Sequence, residues 1–98
     1  MYKRQAAARI LQTFLASTPA LLTRIQGAVE SGDHEAAGKG LHLLVGSSAT
    51  VSGEGIRSQA QGLERTLKEG DLAAVAAGLP ALGQEFDAFR AAAEGFEA

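Results

Sequence analysis

Apolar residues recur at alternating steps of three and four from Ala37 onward, and no other feature of the chain constrains its fold as strongly. Residues three and four apart share one face of an α-helix, whereas a half-buried strand would alternate at every second position. The spacing defines three successive stripes: Ala37, Leu41, Leu44, Ser48 and Val51; Ile56, Ala60, Leu63 and Leu67; and Leu72, Val75, Leu79, Leu82, Phe86 and Phe89. We therefore predict an all-α fold.

Helix start and stop signals divide the chain into five predicted helices. Gly32 and Gly70 are typical of helix ends, and each precedes an aspartate that suits an N-cap. A further start is predicted at Thr18, which can cap a helix that begins with Pro19. The predicted helices span about residues 4–16, 18–31, 34–51, 54–69 and 71–94. In the last of them the apolar spacing continues across Pro80, so we expect one kinked helix rather than two helices.

The connections between these helices are short, which places sequential helices beside one another and antiparallel. A chain of 98 residues is long enough for one domain with one core. We therefore predict a single domain over residues 1–98, an antiparallel up-and-down four-helix bundle with an additional N-terminal helix. Its shared core is predicted to include Leu41, Leu44, Ile56, Leu63, Leu67, Val75, Leu82 and Phe86.

Composition excludes several classes of function. The formal net charge of −2 argues against a nucleic-acid partner, because phosphate backbones require a basic surface. The chain has no cysteine, which excludes disulfides and thiolate metal sites and fits a reducing compartment. No apolar run is long enough to cross a membrane, and no signal-peptide core follows the first residues. We expect a cytoplasmic location without membrane insertion.

The stretch LHLLVGSSATVSG, from Leu41 to Gly53, carries the most informative histidine of the chain, His42. Its neighbours one helical turn away are Gly38, Lys39, Val45 and Gly46. A glycine in a helix interior costs about 1 kcal/mol relative to alanine, and Gly40 adds one more nearby. Either the glycines keep the backbone bare around the imidazole, or they let a neighbouring helix pack closely. The imidazole itself is expected at the rim of the core, about 100° around the helix from Leu41.

The neutral imidazole of His42 is a competent nucleophile near pH 7, because the unperturbed pKa of histidine is about 6.5. Ser47 and Ser48 follow His42 by five and six residues, so neither shares its face as a catalytic partner would require. His34 precedes His42 by eight residues, which gives no chelating pair, and it is expected to be a solvated surface residue. No phosphate-binding glycine loop is present. We therefore expect no metal site, no cofactor and no autonomous ATP-dependent activity.

The motif H-x-L-x-G-S-S-A-x-V, from His42 to Val51, resembles the signature of histidine-containing phosphotransfer (HPt) domains of bacterial two-component phosphorelays. Further along, Leu63-Glu64 and Gly70-Asp71 are similar to the LE and GD pairs of that family. Two positions depart from the family pattern. Val45 stands where these domains usually have lysine, and Ser52 where they usually have glycine. The resemblance extends over nearly the whole chain.

The resemblance implies that His42 accepts a phosphoryl group from the aspartate of a receiver domain and passes it to another receiver aspartate. The implied partners are receiver domains of a hybrid sensor kinase or a response regulator, and the Mg²⁺ of the reaction belongs to the receiver. Residues expected beside the phosphoryl group are Lys39, Val45, Gly46 and Glu64. Residues expected at the receiver-docking surface are Gly38, Gly46, Ser47 and Ala49. Such a module occurs as a free protein or as the cytoplasmic end of a membrane sensor kinase.

Three questions stay open at this level. The chain is either an active phosphotransfer module or an HPt-like bundle that only binds or inhibits a receiver or kinase, for which Val45 is the best argument. Lys39 either supplies the charge that Val45 lacks or is simply a solvated lysine. Glu64 either accepts a hydrogen bond from the imidazole or is a surface carboxylate.

Overall fold

The computed structural model describes residues 2–97, with side chains described for residues 7–95, so that Met1 and Ala98 of the predicted domain lie outside the described residues. Within this range the chain forms four helices and no strand: α1 (Tyr2–Glu30), α2 (His34–Thr50), α3 (Glu54–Lys68) and α4 (Leu72–Glu97). Connections of three residues make successive helices antiparallel. α1 and α3 each pack against both α2 and α4, which closes a four-helix bundle. The all-α prediction is confirmed for the described residues.

The additional N-terminal helix is not confirmed: in the described residues, the helices predicted over 4–16 and 18–31 form one helix, α1, which continues unbroken through Pro19. Proline removes one backbone hydrogen bond, yet a single buried stripe continues across it. The stripe consists of Phe14, Thr18, Leu21, Ile25 and Ala28. Thr18 does not cap a helix. It is 2% exposed, and its hydroxyl donates to the carbonyl oxygen of Phe14 over 2.6 Å. Burial on both sides of the proline therefore outweighs the lost bond.

The core is one cluster to which every helix contributes. All eight residues predicted for it are buried there, and α1 adds Phe14 and Ile25 among others. The Phe14 ring lies 6.0 Å from that of Phe86 and 5.5 Å from that of Phe89, between centroids. Full burial of one such large apolar side chain contributes about 1.5–3 kcal/mol. This core fixes how the helices are rotated, and therefore which residues face outward.

The ends of the helices follow the expected chemistry. The Asp33 carboxylate accepts from the backbone N–H of Ala36 over 3.0 Å, and Asp71 makes the same N-capping bond to Ala74 over 3.0 Å. Gly32 has a φ of 75°, in the left-handed region that glycine adopts without strain. α4 runs as one helix through Pro80, and the kink expected there stays a prediction.

Candidate functional site

His42 lies in the middle of α2 and points out of the bundle. Leu41 and Leu44 on the same helix are completely buried, so the core fixes the rotation of α2 and turns position 42 towards solvent. The His42 side chain is 80% exposed. The imidazole therefore lies farther out than the expected rim of the core, on an open surface where another macromolecule can reach it.

Glu64 of α3 holds the imidazole. Its Oε2 lies 2.9 Å from Nδ1 of His42, and the Glu64 side chain is only 18% exposed. The buried residues Leu63 and Leu67 on either side of Glu64 fix the rotation of α3 and direct the carboxylate towards α2. An ionised carboxylate only accepts hydrogen bonds, so Nδ1 carries the proton and donates it. The lone pair of the neutral ring is then on Nε2, the nitrogen on the opposite side.

The glycines around His42 differ in what surrounds them. A Cβ on Gly40 would lie 2.6 Å from Cγ1 of Ile25 on α1, so this glycine allows close helix packing. A Cβ on Gly38 would make only an ordinary contact, 3.5 Å from a methyl carbon of Leu67. A Cβ on Gly46 would meet nothing within 4 Å. The packing interpretation therefore applies to Gly40, while Gly46 is a mid-helix glycine that packing does not require.

The turn of α2 that follows His42 carries no cation. Val45 is half-buried and packs against the core cluster, and Ala49 is exposed. Ser47 is half-buried, and its hydroxyl donates to the carbonyl oxygen of Leu44 over 3.3 Å. Leu43, next to the histidine, is 56% exposed and places an apolar side chain on this surface. The residues on this side of the ring are therefore uncharged.

The turn that precedes His42 carries the charge. Lys39 forms an exposed ion pair with Glu35 on the same helix, 3.1 Å between Nζ and Oε1. A groove between α2 and α3, which we call the α2–α3 groove, runs beside the Lys39–Glu35 ion pair and beside Glu64. It is lined by His34, Glu35, Gly38, Lys39, Glu64, Leu67 and Lys68. The sequence therefore brings two lysines from different helices to the groove that borders the histidine–glutamate pair.

In the described part of the chain, no group of side chains is arranged for serine-type catalysis or for metal binding. The Ser48 hydroxyl is buried and donates to the carbonyl oxygen of Leu44 over 2.6 Å, so neither it nor Ser47 is paired with a base. His34 is exposed at the start of α2. Among residues with described side chains, no three histidine, cysteine or acidic groups cluster as metal ligands would. No described helix has the length and apolar character needed to cross a bilayer.

Two residues of this surface were missed by sequence reasoning. Leu43 falls outside the apolar stripe of α2, and an off-stripe leucine beside the histidine was the available signal. Lys68 was missed because its proximity depends on how α3 aligns with α2. Its position four residues after Glu64 was the only local hint.

The site is therefore an exposed histidine in the middle of one helix of a four-helix bundle, hydrogen-bonded to a carboxylate of the next helix. A family model for the Hpt domain matches residues 9–92 of the 98-residue chain. The chain therefore belongs to the Hpt domain family. Membership implies a part in histidine phosphotransfer in two-component signalling, in which such domains interact with receiver domains. No curated protein and no solved structure matches the chain significantly.

Proposed function

We propose that the chain is a phosphorelay intermediate, which accepts a phosphoryl group on His42 from one receiver aspartate and passes it to another. The observation that carries this proposal is the 2.9 Å hydrogen bond from Nδ1 to Glu64 on a side chain that is 80% exposed. The bond orients the ring and assigns its proton to Nδ1. Nε2 is left with a lone pair that an incoming phosphoryl group can meet.

The transfer step follows from this tautomer. The Nε2 lone pair attacks the phosphorus of the receiver's aspartyl phosphate, the N–P bond forms, and the P–O bond to the aspartate breaks. The aspartate leaves as a carboxylate, and the reverse step delivers the phosphoryl group to a second aspartate. The ring gains positive charge as the N–P bond forms, and the Glu64 carboxylate offsets it through the proton on Nδ1.

Phosphoryl transfer needs chiefly positioning and charge neutralisation, so the histidine side of the reaction requires few groups. We propose that the receiver supplies Mg²⁺ and that the chain needs no cofactor of its own. The docking surface proposed here consists of Gly38, Gly46, Ser47 and Ala49. Gly46 supports this choice, because it leaves open space where a side chain would stand. Leu43 adds apolar area beside the ring, which suits a protein partner.

The exchange is expected in the bacterial cytoplasm, because the aspartates that the proposal requires belong to cytoplasmic receivers. The same surface serves whether the domain is a free protein or the cytoplasmic end of a sensor kinase. In both cases the phosphoryl group is loaded by a receiver, and the chain has no step with ATP.

The decisive test is transfer from a receiver domain that carries a radiolabelled phosphoryl group. Wild type should acquire a label that is lost in acid and survives mild base, as expected of phosphohistidine. His42→Gln should stay unlabelled, whereas the matched control His34→Gln should be labelled like wild type. Circular dichroism would verify that both variants are folded. Labelling of His42→Gln would overturn the assignment of the phosphoacceptor.

Gly46→Gln tests the docking surface separately from the nucleophile. The imidazole and Glu64 are intact in this variant, while a long side chain fills the space one turn beyond the ring. Transfer from the receiver should slow by at least about tenfold, the equivalent of 1.4 kcal/mol in the barrier. Ala36→Gln, an exposed position in the first turns of α2, is the control and should transfer normally. Equal rates for both variants would remove Gly46 from the docking surface.

The second candidate function is a bundle that binds or inhibits a receiver or kinase without accepting phosphate. Val45 favours it, because a half-buried valine supplies no charge where these domains usually have lysine. Under this alternative, wild type binds the phosphorylated receiver in a pull-down and remains unlabelled. Val45→Lys would then be expected to gain labelling.

A further inference from the structure

The charge around His42 presents a problem for a phosphorylated state. Phosphoryl groups on nitrogen carry about two negative charges near pH 7, as other protein phosphates do. Glu64 already places a carboxylate on the other side of the same ring, 2.9 Å from Nδ1. Glu35 lies two turns before His42 and adds another negative charge to the α2–α3 groove. Val45 offers nothing to balance these charges.

Two lysines lie one helical turn from the His42–Glu64 pair, on the side away from Val45. Lys39 precedes His42 by three residues on α2, and Lys68 follows Glu64 by four residues on α3. Residues at these spacings have Cβ atoms about 5–6 Å apart. Because α2 and α3 are antiparallel, both steps lead towards the same end of the bundle, and both lysines line the α2–α3 groove. A flexible four-carbon stem lets each ammonium group reach across the groove.

We infer that Lys39 and Lys68 together neutralise the phosphoryl group on His42 and replace the charge that is missing at Val45. The inference rests on the proposed function, and it adds Lys68 of α3 to the site. The cations then lie before the histidine, and the uncharged surface lies after it. A receiver meets no lysine over Gly46, Ser47 and Ala49, whereas Gly38 of the docking surface lies in the α2–α3 groove with both lysines.

The present partner of Lys39 does not prevent this role. The side chains of Lys39 and Glu35 are 77% and 80% exposed, and such exposed pairs are weak. A phosphoryl group carries more charge than a carboxylate and accepts hydrogen bonds on three oxygens, so it competes well for the ammonium group. Lys39 is therefore expected to exchange Glu35 for the phosphoryl group once His42 is loaded.

Other cations on the same helices are less suited. Arg57 of α3 donates to Glu54 over 2.9 Å and to Gln61 over 3.0 Å, which engages its guanidinium. Arg65 is exposed in the last turn of α3 but does not line the groove. It carries the same charge on the same helix, which makes Arg65→Gln a matched control for the removal of a positive charge.

The test measures the equilibrium between phosphohistidine and aspartyl phosphate, using a receiver domain that labels wild type. Lys39→Gln and Lys68→Gln should each shift this equilibrium towards the receiver by about two- to fivefold, as for exposed charge pairs. The double variant should shift it further, and Arg65→Gln should leave it unchanged. Glu35→Gln should shift it the opposite way, because it removes a competing carboxylate and frees Lys39.

A charge placed on the other side of the ring completes the test. Val45→Lys added to the double lysine variant should restore the equilibrium of wild type. If wild type is labelled but both lysine variants match Arg65→Gln, the lysine inference fails and the proposed function stands. If no receiver labels wild type, both fail. A response to Lys39→Gln alone would remove Lys68 from the site.

Discussion

At the scale of single residues, the proposed transfer depends on the hydrogen bond between the Glu64 carboxylate and the His42 imidazole. Glu64 is mostly buried and contacts His42 at Nδ1, so under the proposed function it acts as a positioning residue, through the ring. A hydrogen bond to a charged group contributes about 1.5–3 kcal/mol when it is well shielded, and less when one partner is exposed as His42 is.

Glu64→Gln is therefore expected to slow transfer to His42 by about tenfold, the rate equivalent of 1.4 kcal/mol. The amide can still accept one hydrogen bond, but it no longer balances the charge that develops on the ring. Nitrogen chemical shifts of the imidazole should show the proton mainly on Nδ1 in wild type and a mixture of tautomers in the variant. Glu69→Gln, just beyond the end of α3, is the control. Unchanged tautomers and rates in Glu64→Gln would reduce Glu64 to a surface carboxylate.

At the scale of helices, the two prolines show where sequence patterns succeed and where they fail. Across Pro80 the apolar spacing is visible in the letters, and it predicted that one helix continues there. Across Pro19 the same spacing continues, but the member beside the proline is Thr18, whose buried hydroxyl donates to the carbonyl oxygen of Phe14 in its own helix. A threonine before a proline is also a good helix start. Local chemistry therefore favoured a break, and only tertiary packing decides against it.

The connection between α2 and α3 contains a serine, Ser52, in a backbone conformation that favours glycine. Ser52 departs from the family pattern of glycine, and it has a φ of 59°, the left-handed region that costs residues with a Cβ about 1–2 kcal/mol. Ser52→Gly should remove that cost. Part of the gain is offset, because glycine gives the unfolded chain more conformational entropy. A net stabilisation of about 0.5–1 kcal/mol is expected in urea unfolding.

The control for this prediction is Ser58→Gly, an exposed serine inside α3 with ordinary helical backbone. There the same change should destabilise the protein by about 0.5 kcal/mol, because glycine is the poorer helix former. Opposite signs at the two positions would establish backbone conformation as the cause. A loss of stability in both variants would contradict it.

At the scale of the whole molecule, the sequence predicted the core well and the surface less well. Each helix buries a stripe that local spacing defines, so the eight predicted core residues could be read from the letters alone. The surface around His42 combines α2 with α3, and its content depends on how these helices align. The sequence alone does not distinguish Gly40, where a Cβ would clash with Ile25, from Gly46, where a Cβ would meet nothing within 4 Å. The sequence alone also does not predict that Lys68 lines the α2–α3 groove.

The bundle that makes these alignments depends on residues such as Leu63, which is 6% exposed and belongs to the core cluster. Leu63→Ala should cost about 2–5 kcal/mol in urea unfolding, because it removes buried methyl groups and leaves a cavity beneath α3. A domain of this size has only about 5–15 kcal/mol of stability in total, so the loss is a large fraction of it. The same substitution at Leu43, which is 56% exposed, is the matched control.

Leu43→Ala should change the free energy of unfolding by less than about 0.5 kcal/mol. The contrast between the two leucines isolates burial, since both changes remove the same atoms from a helix. At low temperature, where Leu63→Ala remains folded, His42 should still be held by Glu64 and should still be labelled, because neither residue is altered. A cost below 0.5 kcal/mol for Leu63→Ala would remove Leu63 from the core. The rotation of α3 that directs Glu64 to the imidazole would then need another cause.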